Sequence, residues 1–304
     1  MSSAADLVSF HSSRRRRTAM VVCTLVVLVS SAPAFAAEAD EDDDAKPAST
    51  VPNLYLDMRT NFTSLPAGTF GIGLGSSFPV LSLLASNNAL PSGFSRQGVS
   101  IDLPVTIDLN DRISVYGGIT TLTTRSDLTS WSSMAADSWN VGVQADVIQQ
   151  NGGVLPAVTV QASLTRSVSL SLFSTTQFTG IAEANYALDK DETRGLLFGL
   201  RAVTVHVDSP LAHVDPAYAG YVGAYYQWDN NWKLTGRAGL QTFGGGTLAG
   251  IAQFQSFTEP VLRFDLDLMD DNDNRLFGVT AEIDWMPKPT FQLTLRTPLY
   301  AVRH

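Results

Sequence analysis

One stretch of the chain carries residues suited to chemistry: His206, Asp208 and Ser209, followed by His213 and Asp215, so that the triplet His-Val-Asp occurs twice. Two imidazoles and two carboxylates on one loop could bind a divalent cation, and a His-Asp couple could supply the base of a hydrolase. No serine-hydrolase elbow and no H-E-x-x-H helix accompanies them. They therefore read as solvated loop residues, and no catalytic residue, metal ligand or cofactor is expected. Glu38 and Asp40 to Asp44 are dense in oxygen ligands but lack the glycine-punctuated loop of a calcium site, so they too read as solvated. The one cysteine, Cys23, lies in the leader and leaves the rest of the chain without thiol or disulfide chemistry.

A third set of reactive groups is dispersed: Asp57, Arg59, Asp102, Asp146, Glu183, Arg201, Arg237, Arg263, Asp265, Asp267, Glu282, Asp284 and Arg296. Each occupies a polar position in a segment that alternates between polar and apolar residues. In residues 99–109, Val99, Ile101, Leu103, Val105, Ile107 and Leu109 face Ser100, Asp102, Thr106 and Asp108 in strict period two, the mark of a strand with two unlike faces.

Such runs recur at 54–62, 99–109, 113–119, 139–147, 158–172, 178–188, 196–204, 218–228, 232–242, 262–268, 277–285 and 291–299, which predicts twelve strands. Their links alternate in length. Short polar turns fall at 110–111, 151–153, 189–193, 229–231 and 270–274, rich in the Asn, Asp and Gly of tight hairpins. Longer links fall at 63–98, 124–137, 166–176, 208–216 and 243–259. An even strand number returns both ends of the ribbon to one side. Runs of about 10–12 residues suit tilted strands crossing a bilayer, whereas soluble sandwiches mostly use about 5–6. The alternating stretch Phe70, Ile72, Leu74 and residues 251–257 are assigned to loops or strand extensions, and residues 79–90 to a short helix in the first long link.

Composition agrees with a surface that does not all face water. The 304 residues are 44% apolar and only 16% charged, against about 25% charged in soluble domains. Arg14 to Arg17, the apolar run 19–30 and Ala34-Phe35-Ala36 form an export signal over 1–36, and residues 37–52 an acidic, disordered leader. Removal of 1–36 leaves 16 basic and 28 acidic residues, a net charge of −12 that excludes nucleic acid as a partner. Beyond the signal, no stretch approaches the 18–20 apolar residues of a membrane helix, so strands must do any spanning.

If the apolar set faces lipid, the charged set faces a lumen, because a basic residue on the lipid face near the bilayer midplane costs about 2–4 kcal/mol. Trp139, Tyr186, Tyr218, Tyr226, Trp228, Trp232, Trp285 and Phe291 sit near strand ends on the apolar parity, where amphipathic rings form interfacial girdles. On these features residues 53–304 resemble a bacterial outer-membrane β-barrel. The resemblance implies an all-β fold: a single antiparallel transmembrane up-and-down barrel of about 12 strands with periplasmic termini. It also implies an outer-membrane location, with membrane lipid and the barrel-assembly machinery as partners. Such barrels usually end in an aromatic residue, whereas this chain ends Tyr300-Ala301-Val302-Arg303-His304 with Pro298 in its last strand, so Tyr300 is expected to stand in.

The function expected is a narrow, non-enzymatic channel or passive transporter for small polar solutes. The five Arg supply the positive side of the lumen, Asp102, Asp265, Asp267, Glu282 and Asp284 the negative side, and 63–98 a constriction or lid. The alternatives are an outer-membrane hydrolase using the His206–Asp215 loop, and a structural barrel with a sealed lumen in which Glu183 and Arg201 pair as a bridge.

Overall fold

The computed structural model describes residues 52–66, 95–150, 154–168, 174–248, 251–254, 256–270, 275–285 and 288–302. The expected export signal, the acidic leader up to residue 51, the alternating segment at 70–74 and the helix at 79–90 lie outside the described residues, as do most of the residues of the expected lid at 63–98.

The described elements are all strands: β1 (Asn53–Leu65), β2 (Arg96–Asn110), β3 (Ile113–Ser126), β4 (Ala135–Ile148), β5 (Ala157–Ser167), β6 (Thr175–Ala187), β7 (Arg194–Val207), β8 (Ala212–Val214), β9 (Ala217–Gln227), β10 (Trp232–Phe243), β11 (Gly246–Leu248), β12 (Ile251–Phe254), β13 (Phe257–Met269), β14 (Arg275–Trp285) and β15 (Pro289–Val302). Twelve close into a barrel in which each pairs antiparallel with its barrel neighbour in sequence, and β1 closes the ring on β15. The other three, β8, β11 and β12, form a small separate sheet built from the β7–β9 and β10–β13 connections. Residues 251–254 thus stay out of the barrel wall, as the sequence suggested, and pair with β11 of the same connection, which in turn pairs with β8 of the other, while Phe257 already belongs to β13. The long strand expected over 158–172 ends at Ser167, and residues 169–173 lie outside the described set.

The hairpins close through the side-chain chemistry that their composition announces. Asn110 Oδ1 accepts from the backbone N–H groups of Arg112 and Ile113, both at 2.8 Å, satisfying donors that the turn takes out of the ladder. Asn231 holds a left-handed backbone with φ of 66° between Trp228 and Trp232, and Glu192 does so with φ of 52° in the β6–β7 turn. In that turn Asp189 accepts from the Thr193 hydroxyl at 2.5 Å, and this bond, with the Arg194 N–H behind it, holds the exposed carboxyl below the usual carboxylate range.

Burial is inverted relative to a soluble protein. Asp102, Ser100, Thr120, Glu259, Asp265 and Glu282 are buried, while Leu200, Ile119, Leu240 and Val222 are more than half exposed on the outer surface. Along β7 the inward positions Leu197, Gly199, Arg201 and Val203 are buried and Leu196, Phe198, Leu200 and Ala202 exposed, strictly in turn. Apolar exposure on that scale is unstable in water and stable against hydrocarbon, so the wall is a membrane-spanning one. Trp228 near the short-turn end, and Trp285 and Phe291 near the long-loop end, remain outward-facing, where rings with a polar edge suit the two membrane surfaces.

Prolines mark one irregular seam. Pro298 of β15 pairs with Asp57 of β1 beside a register shift at Leu56/Asp57, and on the other side of β1 the pairing with β2 runs from Leu56↔Val105 to Arg59↔Asp102, skipping Pro104. A residue without an N–H cannot complete a ladder, so the irregularity falls where two prolines border one strand.

Candidate functional site

All thirteen dispersed charges lie in the barrel strands, and their side chains go to the inner face. Asp57, Arg59, Asp102 and Arg201 line the main cavity, and Glu183, Arg237, Arg263, Asp265, Asp267 and Arg296 a smaller one beside it. Glu282 and Asp284 are buried on β14, and Asp146 accepts from the Thr159 hydroxyl at 2.7 Å across the β4–β5 pair.

Asp265 is the hub of a network. It receives Arg237 at 2.5 Å, Arg263 at 2.9 Å and the Thr280 hydroxyl at 2.5 Å, with Arg296 at 3.5 Å. Arg263 also lies 3.8 Å from Glu282, and Arg275 binds Asp267 at 2.8 Å. Glu183 reaches Arg237 at 3.5 Å and accepts from the Tyr221 hydroxyl at 2.7 Å. The pairing of Glu183 with Arg201 is therefore replaced by pairing with Arg237, three strands away, while Arg201 lies in the field of Glu282 and Asp284. Nor do the two signs occupy opposite sides. Arg and carboxylate interleave on β13, β14, β15, β1 and β2, because the tilt of the strands brings residues from different registers to one depth.

The facing arc, β3 to β6, carries amides and hydroxyls. Tyr116, Asn140, Gln144, Gln161, Ser163 and Gln177 line a cavity of about 610 Å³ that also takes in Asp108 and Ser114 beside the β2–β3 turn. The cavity thus extends from the short-turn end of the barrel up to Arg201. Three tyrosines reach over a glycine on the neighbouring strand: Tyr116 over Gly142, Tyr225 over Gly195 and Tyr221 over Gly199, each pair in direct register. A Cβ at any of these glycines would overlap the ring. Nearer the long-loop end the lining turns apolar, where buried Val203, Ala217 and Phe243 pack with Val205, Val214 and Phe257, the two phenylalanine rings stacking at 5.5 Å.

Inner charges also stand outside the thirteen read from the sequence, Glu259 and Arg275 among them. Glu259 shares the parity of Arg263 and Asp265, a signal present in the sequence. Arg275 lies at the register shift opposite Met269, where parity stops being informative.

The His-Asp repeats are divided between two sheets. His206 is on β7, 3.9 Å from Asp208, whose carboxylate also binds Arg166 at 2.5 Å. His213 is on β8, 3.1 Å from Asp215. Both imidazoles are largely exposed, and among the described residues no group of three or more His, Cys, Asp or Glu is placed to hold a metal ion.

A closed, twelve-stranded antiparallel ring with an apolar outside and a polar, charged inside defines the class: this chain has the fold of the bacterial outer-membrane β-barrels. Among solved structures it is similar to the COG4313 outer-membrane channel of Pseudomonas putida F1, at 12% identity and a TM-score of 0.51, over 85% of this chain and 98% of that one. It is also aligned with the translocator domain of the autotransporter NalP from Neisseria meningitidis (10% identity, TM-score 0.45, 92% and 95% of the two chains) and with the transport unit of the autotransporter AIDA-I from Escherichia coli (10%, 0.47, 90% and 96%). No protein-family model matches the chain, and no curated protein matches it in sequence.

Proposed function

We propose that the protein is a non-enzymatic outer-membrane channel, delivered by its export signal and inserted by the barrel-assembly machinery, that lets small polar solutes cross by diffusion. The observation that carries this reading is the polar cavity of about 610 Å³ inside a closed wall. A barrel filled by paired charges alone would leave no such space. Twelve strands stand between eight-stranded barrels, whose interiors side chains can fill, and porins of sixteen or more, which hold an open aqueous channel.

The inner charges give the pathway a sign. Asp57, Asp102, Asp146, Glu183, Asp265, Asp267, Glu282 and Asp284 outnumber Arg59, Arg201, Arg237, Arg263 and Arg296 eight to five, which favours cations. The protein refolded in detergent and added to a planar bilayer should give stepwise currents with a reversal potential on the cation side in a salt gradient. Folded protein that gives no current would remove the channel reading and leave the sealed barrel.

A hydrolase at residues 206–215 has one geometric support, the His213–Asp215 contact. Peptide or lipid hydrolysis that is lost in His213→Ala would overturn the non-enzymatic reading. The channel reading expects no such turnover.

A further inference from the structure

We infer that the solute this channel selects is a neutral polyhydroxylated molecule, of the size of a mono- or disaccharide, held against the β3–β6 arc of the wall. The inference rests on the channel reading above and adds the class of solute to it.

The two sides of the cavity differ in what they leave available. On the charged side Arg275 is engaged with Asp267 and Asp102 with the Thr120 hydroxyl at 3.2 Å, while Asp57 and Arg59, also on the lining, stand two residues apart on β1 with opposite signs. An ionic solute that binds the engaged groups must displace a partner, leaving a charge unpaired in a confined space, which is expensive, and the Asp57–Arg59 couple offers it no net charge. On the arc, Asn140, Gln144, Gln161 and Gln177 supply amides, each with donors and an acceptor on one side chain, with one N–H of Gln161 given to the Tyr116 hydroxyl and one of Gln177 to the Thr179 hydroxyl. These four side chains meet a hydroxyl in either role and carry no charge to hold an ion, while Asp146 and Glu183 on the same strands accept from Thr159 and from Tyr221 and lie off this cavity's lining.

Tyr116 adds a second element of recognition. The far end of its ring lies over Gly142, where the absence of a side chain makes room for it, the residue lines the cavity, and Gln161 Nε2 donates to its hydroxyl at 2.5 Å. A flat aromatic face flanked by amides matches a sugar ring, whose C–H face is apolar and whose rim is hydroxyl. The cavity volume is within the range of small-molecule sites.

The test is the block of ion current through single channels by added maltose, compared with gluconate, a charged sugar acid. Maltose is expected to interrupt the current at millimolar concentration and gluconate to do so at least tenfold more weakly. In the double variant Gln144→Leu and Gln161→Leu the maltose concentration for half block, measured against that variant's own current in salt, should rise about tenfold, the effect of two lost hydrogen bonds. Retained salt current shows that the variant is folded and open. If maltose blocks no better than gluconate, or blocks the double variant as well as the original protein, the solute assignment is wrong although the channel stands. If the original protein passes no current, the channel reading fails and the assignment with it.

Discussion

Asp265 shows how much one buried residue can organise. Three guanidinium groups and a hydroxyl converge on a side chain that is 4% exposed, so replacing it with Ala leaves Arg237, Arg263 and Arg296 facing one another with no anion between them. Removing one partner of a buried ion pair costs about 3–5 kcal/mol. Asp265→Ala should therefore lower the unfolding free energy of the refolded barrel by that order, seen as a lower urea midpoint in the change of gel mobility between folded and unfolded forms. An unchanged midpoint would mean that water, not Asp265, stabilises the arginines. The tyrosine-on-glycine pairs make a finer test. Gly199→Ala drives a Cβ into the Tyr221 ring and displaces the hydroxyl that donates to Glu183, with an expected loss of about 1–3 kcal/mol as for other overpacked sites. Gly180→Ala, where a new Cβ meets open space, is the control and should be close to neutral. Parity assigned Asp265, Glu183 and the three arginines to the inner face from the sequence alone, but it could not show which neighbour each one meets.

At the level of elements, the strands and turns answer to different rules. Leu200 is 68% exposed on the outer face of β7, and an arginine there should cost about 2–4 kcal/mol if it lies near the bilayer midplane. Gln161→Arg, facing water on β5, should insert and fold normally. Equal folding yields of the two variants in lipid vesicles would contradict the assignment of faces. In the β3–β4 connection, Asp127 accepts from the Ser95 N–H at 3.0 Å and the Ser95 hydroxyl at 2.5 Å, and the hydroxyl bond above all lowers its carboxyl below the usual range. Because the folded value is the depressed one, the tether is fully present above the unfolded value near 4 and is lost as pH falls through the lower, folded value. Pepsin cleavage within 127–134, normalised to an unstructured peptide, should therefore accelerate as the pH drops below about 4. Asp127→Ala should show the faster cleavage throughout that range. A wild-type loop cut at a constant relative rate would exclude the tether.

The whole molecule combines a polar cavity with an apolar cluster on one arc of the wall near its long-loop end. Val203, Ala217, Phe243 and Phe257 come from the inner faces of four neighbouring barrel strands, and Val214 from the small sheet packs onto them. Rings at that place reduce the free cross-section of any pathway through the barrel. The double variant Phe243→Ala and Phe257→Ala should raise single-channel conductance with little change in ion selectivity, since no charge is altered. Conductance equal to that of the original protein would place the narrowest point elsewhere.

What the sequence settled by itself is local. Period-two alternation is a property of adjacent residues, and tight-turn chemistry a property of three or four, so the twelve wall strands, the short turns and the inner set of charges are all legible in the order of the residues. Which charge pairs with which is not. Asp265 meets Arg237 across 28 residues and Arg296 across 31, and Glu183 meets Arg237 across 54; those meetings depend on strand tilt and on bulges such as that at Leu268/Met269, which shift registers without leaving a mark in the pattern. The separation of the lumen into a charged wall and an amide arc, and the pairing of two distant loops into one small sheet, belong to the same category. A ring closed by hydrogen bonds brings together residues far apart in the chain, and only the closed ring decides which.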